Sequence, residues 1–142
     1  MAVTTQLDVV SAEREIFSGE VEMVFAPAAE GEVGIMPGHS ALITTLAPGE
    51  VRAVMPGGEE EAFYVSGGIL EVQPHVVTVL TDTALRAEDV DEAAAAAAKE
   101  QAEQALHDRQ AQIDYATARA ELAQAVAQLR TLERMRRRSG RA

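Results

Sequence analysis

The sequence predicts an α+β protein, with an N-terminal β domain of the sandwich or flattened-barrel type followed by a C-terminal antiparallel two-helix hairpin. Two observations carry this. All five prolines and all ten glycines but Gly140 lie before residue 75, where they punctuate short runs of β-branched and apolar residues. From Leu85 to Ser139 there is no glycine or proline, and 15 of the 35 residues from Ala93 to Ala127 are alanine, the strongest helix former. The expected division is 1–86 for the β domain and 87–142 for a mobile hairpin.

In chain order the candidate strands are Leu7–Val10, Val21–Phe25, Ala41–Leu46, Val51–Met55, Ala62–Val65, Ile69–Val72 and Val76–Leu80, several of them alternating as half-buried strands do. Pro56-Gly57-Gly58 and Ser66-Gly67-Gly68 can supply the positive φ of tight hairpins, and Pro74 cannot continue a central ladder. Asp89 with Glu92 three residues later has the form of a capping box, which starts the first helix near residue 90. The polar stretch from Leu106 to Asp114 breaks the helical run, and Asp114 can cap a second helix reaching about Arg138.

A stripe of Tyr115, Ala118, Leu122, Ala125, Leu129 and Leu132 on the second helix faces Val90, Ala94, Ala97, Ala98, Ala102 and Ala105 on the first. An alanine buries only a methyl, whereas full burial of a leucine contributes roughly 1.5–3 kcal/mol. The hairpin is therefore expected to be weakly sealed and to depend on docking elsewhere. An ordinary static appendage is the competing reading.

Hydrophobic residues at 47% and charged residues at 25% are values of a folded chain in water. No apolar run approaches the ~20 residues of a membrane span, and the opening residues lack a signal-peptide pattern, so a cytoplasmic location is expected. There are no cysteines, which removes disulfides and thiolate chemistry. The net charge of −11 is uneven: residues 1–88 hold 14 acids and 3 bases, whereas residues 130–142 hold six arginines and one acid, Glu133. Arg130, Arg134, Arg137 and Arg141 fall at i, i+4, i+7 and i+11 and would form one positive ridge suited to an acidic partner; a solvated basic helix end is the plainer alternative. Nucleic acid is a poor candidate partner, because the β domain offers only Arg14, Arg52 and Arg86 against its acids.

Enzyme signatures are missing: no Gly-rich phosphate loop, no His-Glu-x-x-His and no Gly-x-Ser-x-Gly. His39, His75 and His107 lack metal-ligand spacing, and Glu59-Glu60-Glu61 reads as a solvated hairpin end. No catalytic residue, metal or cofactor is assigned. Glu30 to His39 is the least ordinary stretch of the β half, read as a loop fixed by three glycines and a proline that displays Val33, Ile35 and Met36 to a partner or folds them back as a core plug.

Leu7-Asp8-Val9-Val10-Ser11-Ala12-Glu13, Phe17-Ser18-Gly19, Glu30-Gly31-Glu32 to Pro37-Gly38-His39, Ser66-Gly67-Gly68-Ile69-Leu70-Glu71-Val72, Asp82-Thr83-Ala84 and Asp114-Tyr115-Ala116 together resemble the epsilon subunits of F-type ATP synthases. The resemblance spans the whole chain. It implies a flattened ten-stranded β sandwich that binds gamma and the membrane ring of c subunits, and a hairpin that can fold against the sandwich or extend into the catalytic head of alpha and beta subunits, restraining ATP hydrolysis. The implied role is a non-catalytic central-stalk (rotor) subunit of a proton-translocating synthase, held peripherally at the cytoplasmic face of a bacterial inner membrane. A pure coupling subunit with a static hairpin is the alternative.

By the same resemblance, Glu30, Gly31, Glu32, Val33, Gly34 and Ile35 match the segment facing the c ring, and Ser11, His39 and Thr44 match positions facing gamma. Arg130, Arg134, Arg137 and Arg141 match the basic helix that meets the catalytic β subunit. One departure stands out. Where ATP-binding members carry an arginine, the run Val90-Asp91-Glu92-Ala93-Ala94-Ala95 places Ala94, so weak or absent ATP binding is expected.

Overall fold

The computed structural model describes residues 3–107 and 115–139. Ten strands precede two helices: β1 Thr5–Ser11, β2 Glu15–Val21, β3 Met23–Ala28, β4 Gly31–Ile35, β5 Leu42–Leu46, β6 Gly49–Val54, β7 Glu60–Val65, β8 Gly68–Val72, β9 Val76–Thr81 and β10 Ala84–Arg86. A short 3-10 turn, Ala87–Asp89, leads into α1 Glu92–His107, and α2 is Tyr115–Ser139. The α+β architecture read from the sequence is the one observed.

The strand order is β10-β7-β6-β3-β5-β8-β9-β1-β2, with β4 paired to β3. Two five-stranded halves emerge, because β3 and β5 are joined by the single pair Ala28↔Leu46. Every pairing is antiparallel except β1 with β9. Strand alternation turns Leu7, Val9, Val24, Val51, Ala53, Phe63, Val65, Leu70 and Val79 into one core between the halves.

Pro56-Gly57-Gly58 closes the β6–β7 hairpin as expected, with φ of 102° and 94° at the two glycines. Ser66-Gly67-Gly68 does not close a hairpin. It carries the chain from β7 in one half to β8 in the other, and Gly68, at φ 125°, lies so close to β9 that an added Cβ would sit 2.0 Å from the Leu80 carbonyl oxygen. The glycines were legible, but which strands they join depends on the sandwich.

Helix α1 starts two residues later than expected. Asp91, not Asp89, is the cap: its Oδ1 accepts from the Ala94 amide at 3.1 Å, while Asp89 belongs to the preceding 3-10 turn. Glu92, expected as the reaching residue of a capping box, pairs instead with Arg136 near the end of α2, which lies beside it in the antiparallel hairpin. Asp114, expected to cap α2, lies outside the described residues.

The helix seam is alanine on alanine, with Ala102, Ala118 and Ala125 buried as expected and Ala95 taking the place expected for Ala94, Ala97 and Ala98. Ala95 and Ala102 of α1 and Ala118 and Ala125 of α2 are buried, each pair seven residues apart, whereas Ala94, Ala97 and Ala98 are exposed. A second face of α2 docks on the β domain. Ala127, Leu132 and Met135 pack with Tyr64, Leu85 and Val90. No described helix is long and apolar enough to cross a membrane.

Candidate partner-binding surfaces

The segment from Glu30 to Ile35 is not the loop expected. Gly31–Ile35 forms β4, paired in register with β3 from Ala28↔Gly31 to Val24↔Ile35. Ile35 is 1% exposed in the core and Val33 packs partly against it, so the fold-back alternative holds for both. The hairpin tip shown to solvent is acidic and small: Glu30, Gly31, Glu32 and Gly34, with Met36 the apolar residue left exposed beyond it. Gly34 is small for a reason, since a Cβ there would meet Met23 Cε at 2.9 Å. Glu32 is braced by Arg52 at 3.0 Å, whose guanidinium lies 4.4 Å from the Phe25 ring centroid.

Ser11, His39 and Thr44 are not brought to one patch. Ser11 ends β1, where its Oγ accepts from the Glu13 and Arg14 amides and donates to the Arg14 carbonyl, closing the β1–β2 turn. His39 follows β4 at the opposite end of the sheet, where Gly38 donates to the Pro74 carbonyl, and its Nδ1 lies 2.7 Å from the Ser40 carbonyl oxygen. Thr44 lines a hollow shared with Glu30, Glu32 and Val33.

Sequence reasoning missed a more coherent feature. Val10, Leu80, Ile69 and Thr45 lie side by side across β1, β9, β8 and β5, with Ile43 two residues along on the same face. Ile43 is 73% exposed, and Ile69 and Leu80 also stand in solvent. A contiguous apolar row on the outside of a sheet is a candidate partner surface. Its signal was present as apolar residues at both parities of β8 and β9.

The arginine end of α2 does not stand free as a ridge. Arg134 and Arg138 reach Glu50 Oε1 at 3.9 Å and 3.4 Å, Arg136 pairs with Glu92, and Arg137 pairs with Glu133. Arg130 is exposed and lines a cleft of about 530 Å³ between Pro27, Pro48 and Glu50 of the β domain and Leu122 and Val126 of α2. Arg141 lies outside the described residues. In this arrangement Arg134 and Arg138 thus meet an acid of their own chain. Glu50 went unnoticed because burial by a distant helix leaves no local mark, although Val51 and Ala53 as core residues already place Glu50 and Arg52 on the opposite face.

In the degenerate nucleotide motif each residue has a structural task. Val90 packs against Tyr64 and Leu132, Asp91 caps α1, Ala95 seals the helix seam, and Ala94 is exposed. Among the described residues no group of acids and histidines could hold a metal.

Comparison with known proteins gives a consistent picture. The family described as ATP synthase, Delta/Epsilon chain, beta-sandwich domain matches residues 4–87, and its long alpha-helix domain matches residues 88–133. An ATP synthase epsilon chain of Nitrosococcus oceani is 66% identical over 140 residues, covering 99% of this chain and all of the relative. One of Alkalilimnicola ehrlichii is 61% identical, covering 97% and 99%. Among solved structures, a chain of the Euglena gracilis mitochondrial ATP synthase (OSCP/F1/c-ring) aligns with a TM-score of 0.70 at 25% identity, over 94% of this chain and 80% of that one. With the ten-stranded β domain, the paired helices and matches over nearly its whole length, this chain belongs to the ATP synthase delta/epsilon family.

Proposed function

We propose that the chain is a non-catalytic rotor subunit of a proton-translocating F-type ATP synthase, in which the β domain couples gamma to the c ring and the hairpin restrains ATP hydrolysis. The observation that carries the moving-hairpin reading is the partial docking of α2. Ala127, Leu132 and Met135 seal against the β domain, while the cleft of about 530 Å³ separates Leu122 and Val126 from Pro27 and Pro48. A helix held at one end and seated on alanines can leave without dismantling the β core.

The surfaces divide accordingly. The acidic tip of Glu30, Gly31 and Glu32, stiffened by β4 and Arg52, suits the polar loops of a c ring. The row of Val10, Leu80, Ile69 and Ile43 suits a permanent apolar contact with gamma, flanked by Ser11 and His39 at opposite ends of the sheet. Arg134 and Arg138 reach an acidic segment of a catalytic subunit by exchanging Glu50 for it. The complex holds the subunit at the cytoplasmic face of a bacterial inner membrane.

Co-purification with gamma tests the coupling role; failure of the β domain to retain gamma contradicts it. Ending the chain after Glu88 tests the brake. Faster ATP hydrolysis by the assembled complex is expected, and an unchanged rate leaves the hairpin a spacer.

A further inference from the structure

Glu50 is an acid on the outer face of the β domain that is nevertheless buried, its side chain only 2% exposed. The alternation of β6 turns Val51 and Ala53 inward, so the cover over Glu50 comes from α2. Its surroundings compensate a negative charge poorly. Oε1 is shared among Arg138 Nη1 at 3.4 Å, Arg52 Nε at 3.8 Å and Arg134 Nη1 at 3.9 Å, all longer than the roughly 2.7–2.9 Å of a charge-assisted hydrogen bond. Oε2 is buried with no hydrogen-bond partner among the described residues.

The other groups around it do not make up the deficit. Arg52 divides its charge with Glu32 and Glu60, Tyr64 stands opposite on β7, and the flanking Pro27, Ala47 and Pro48 are apolar. Arg119 and Arg130 line the cleft beyond.

We propose that Glu50 is a proton-operated catch between the β domain and the hairpin: docking buries its carboxyl beneath α2, and uptake of a proton there tightens the docked form. A neutral carboxyl removes the cost of a buried, half-partnered charge. Burial raises the Glu50 pKa above its ordinary value, against the opposing pull of Arg138, Arg134 and Arg52. Undocking returns the carboxyl to water beside Arg52 and removes the burial that raises its pKa. The extra stability of docking is therefore complete below the undocked value and is lost as pH rises through the docked one. The catch follows from the docked geometry alone; its effect on hydrolysis rests on the brake reading above.

The full chain offers a direct test because it contains no cysteine. Spin labels on Ala12→Cys and Ala120→Cys, both exposed, report docked and undocked populations as a distance distribution. From about pH 7.5 to about pH 5, the docked-to-undocked ratio is expected to rise roughly two- to tenfold, each unit of pKa difference supplying at most a factor of ten.

Glu50→Gln is expected to abolish that rise and to dock at about pH 7.5 at least as fully as the parent. Arg138→Gln, which removes a compensating charge, is expected to move the response to higher pH. Docking that loosens on acidification, a response unaltered in Glu50→Gln, or an unmoved midpoint in Arg138→Gln overturns the proposal. If docking follows Glu50 while hydrolysis by the reassembled complex does not, the catch stands and the brake reading falls.

Discussion

Arg86 Nη2 donates to the carbonyl oxygen of Ile16 at 3.0 Å, and with that bond β10 is tied to β2, the two ends of the strand order. The same guanidinium pairs with Glu61 at 3.1 Å and lies 5.5 Å from the centroid of the Phe63 ring. One side chain thus clasps an otherwise open sandwich edge. Arg86→Ala is expected to destabilise the β domain by about 1–2 kcal/mol. Arg86→Lys should recover little of it, since an ammonium cannot serve the three sites of a planar fork. Denaturant midpoints at unchanged slope measure both.

Gly68→Ala forces a methyl toward the Leu80 carbonyl at a φ that alanine rarely adopts. The expected cost exceeds the ~1–3 kcal/mol of backbone strain alone. Gly57 has positive φ but open space around it, so Gly57→Ala should lose only the strain. Thermal unfolding of the two variants separates backbone conformation from close approach.

Asp91→Ala should lower stability by about 1 kcal/mol through loss of the α1 cap, whereas Asp91→Asn should be nearly neutral. Isothermal titration of the parent with ATP is expected to give weak or no binding. Micromolar affinity would instead return Asp91 to a ligand role.

Ala102→Leu places three further carbons in a seam where the parent side chain is 1% exposed, and about 1–3 kcal/mol of destabilisation is expected. Ala97→Leu, on the exposed face of α1, should have little effect. Circular dichroism melts of the full chain distinguish them.

The Arg136 hydrogen bond and charge hold the Glu92 carboxyl below its ordinary pKa. A depressed carboxylate contributes its stabilisation above the ordinary value and loses it as pH falls through the lowered one. Side-chain NMR titration of Glu92 should show the lowered midpoint, and Arg136→Gln should return it toward the ordinary range. Both groups are exposed, so salt should weaken the coupling.

Seven strands were legible from alternation and punctuation, and the three that were not share a cause. Gly19 and Ser18 dilute β2, Gly31 and Gly34 dilute β4, and β10 has only three residues. Pairing with a neighbour, rather than intrinsic propensity, holds these segments extended. The same limit applies to the surfaces. The arginine segment was evident as charge, but Glu50 and the row of Val10, Leu80, Ile69 and Ile43 exist only once distant strands and a helix are side by side. Asp91 displaced Asp89 as the cap because the 3-10 turn takes up the residues between β10 and α1.

The parallel pairing of β1 with β9, in register from Gln6↔Val76 to Ser11↔Thr81, has a consequence for synthesis. A strand made among the first must wait for one made near the end of the domain before its second edge is covered. At roughly 5–20 residues per second, that interval is on the order of several seconds on the ribosome. During it the edge of β1, bearing Leu7 and Val9, is open to mispairing with other nascent chains. Translation pauses before Thr81 should raise aggregation of this subunit far more than pauses in the alanine-rich helices, whose contacts form locally as they emerge.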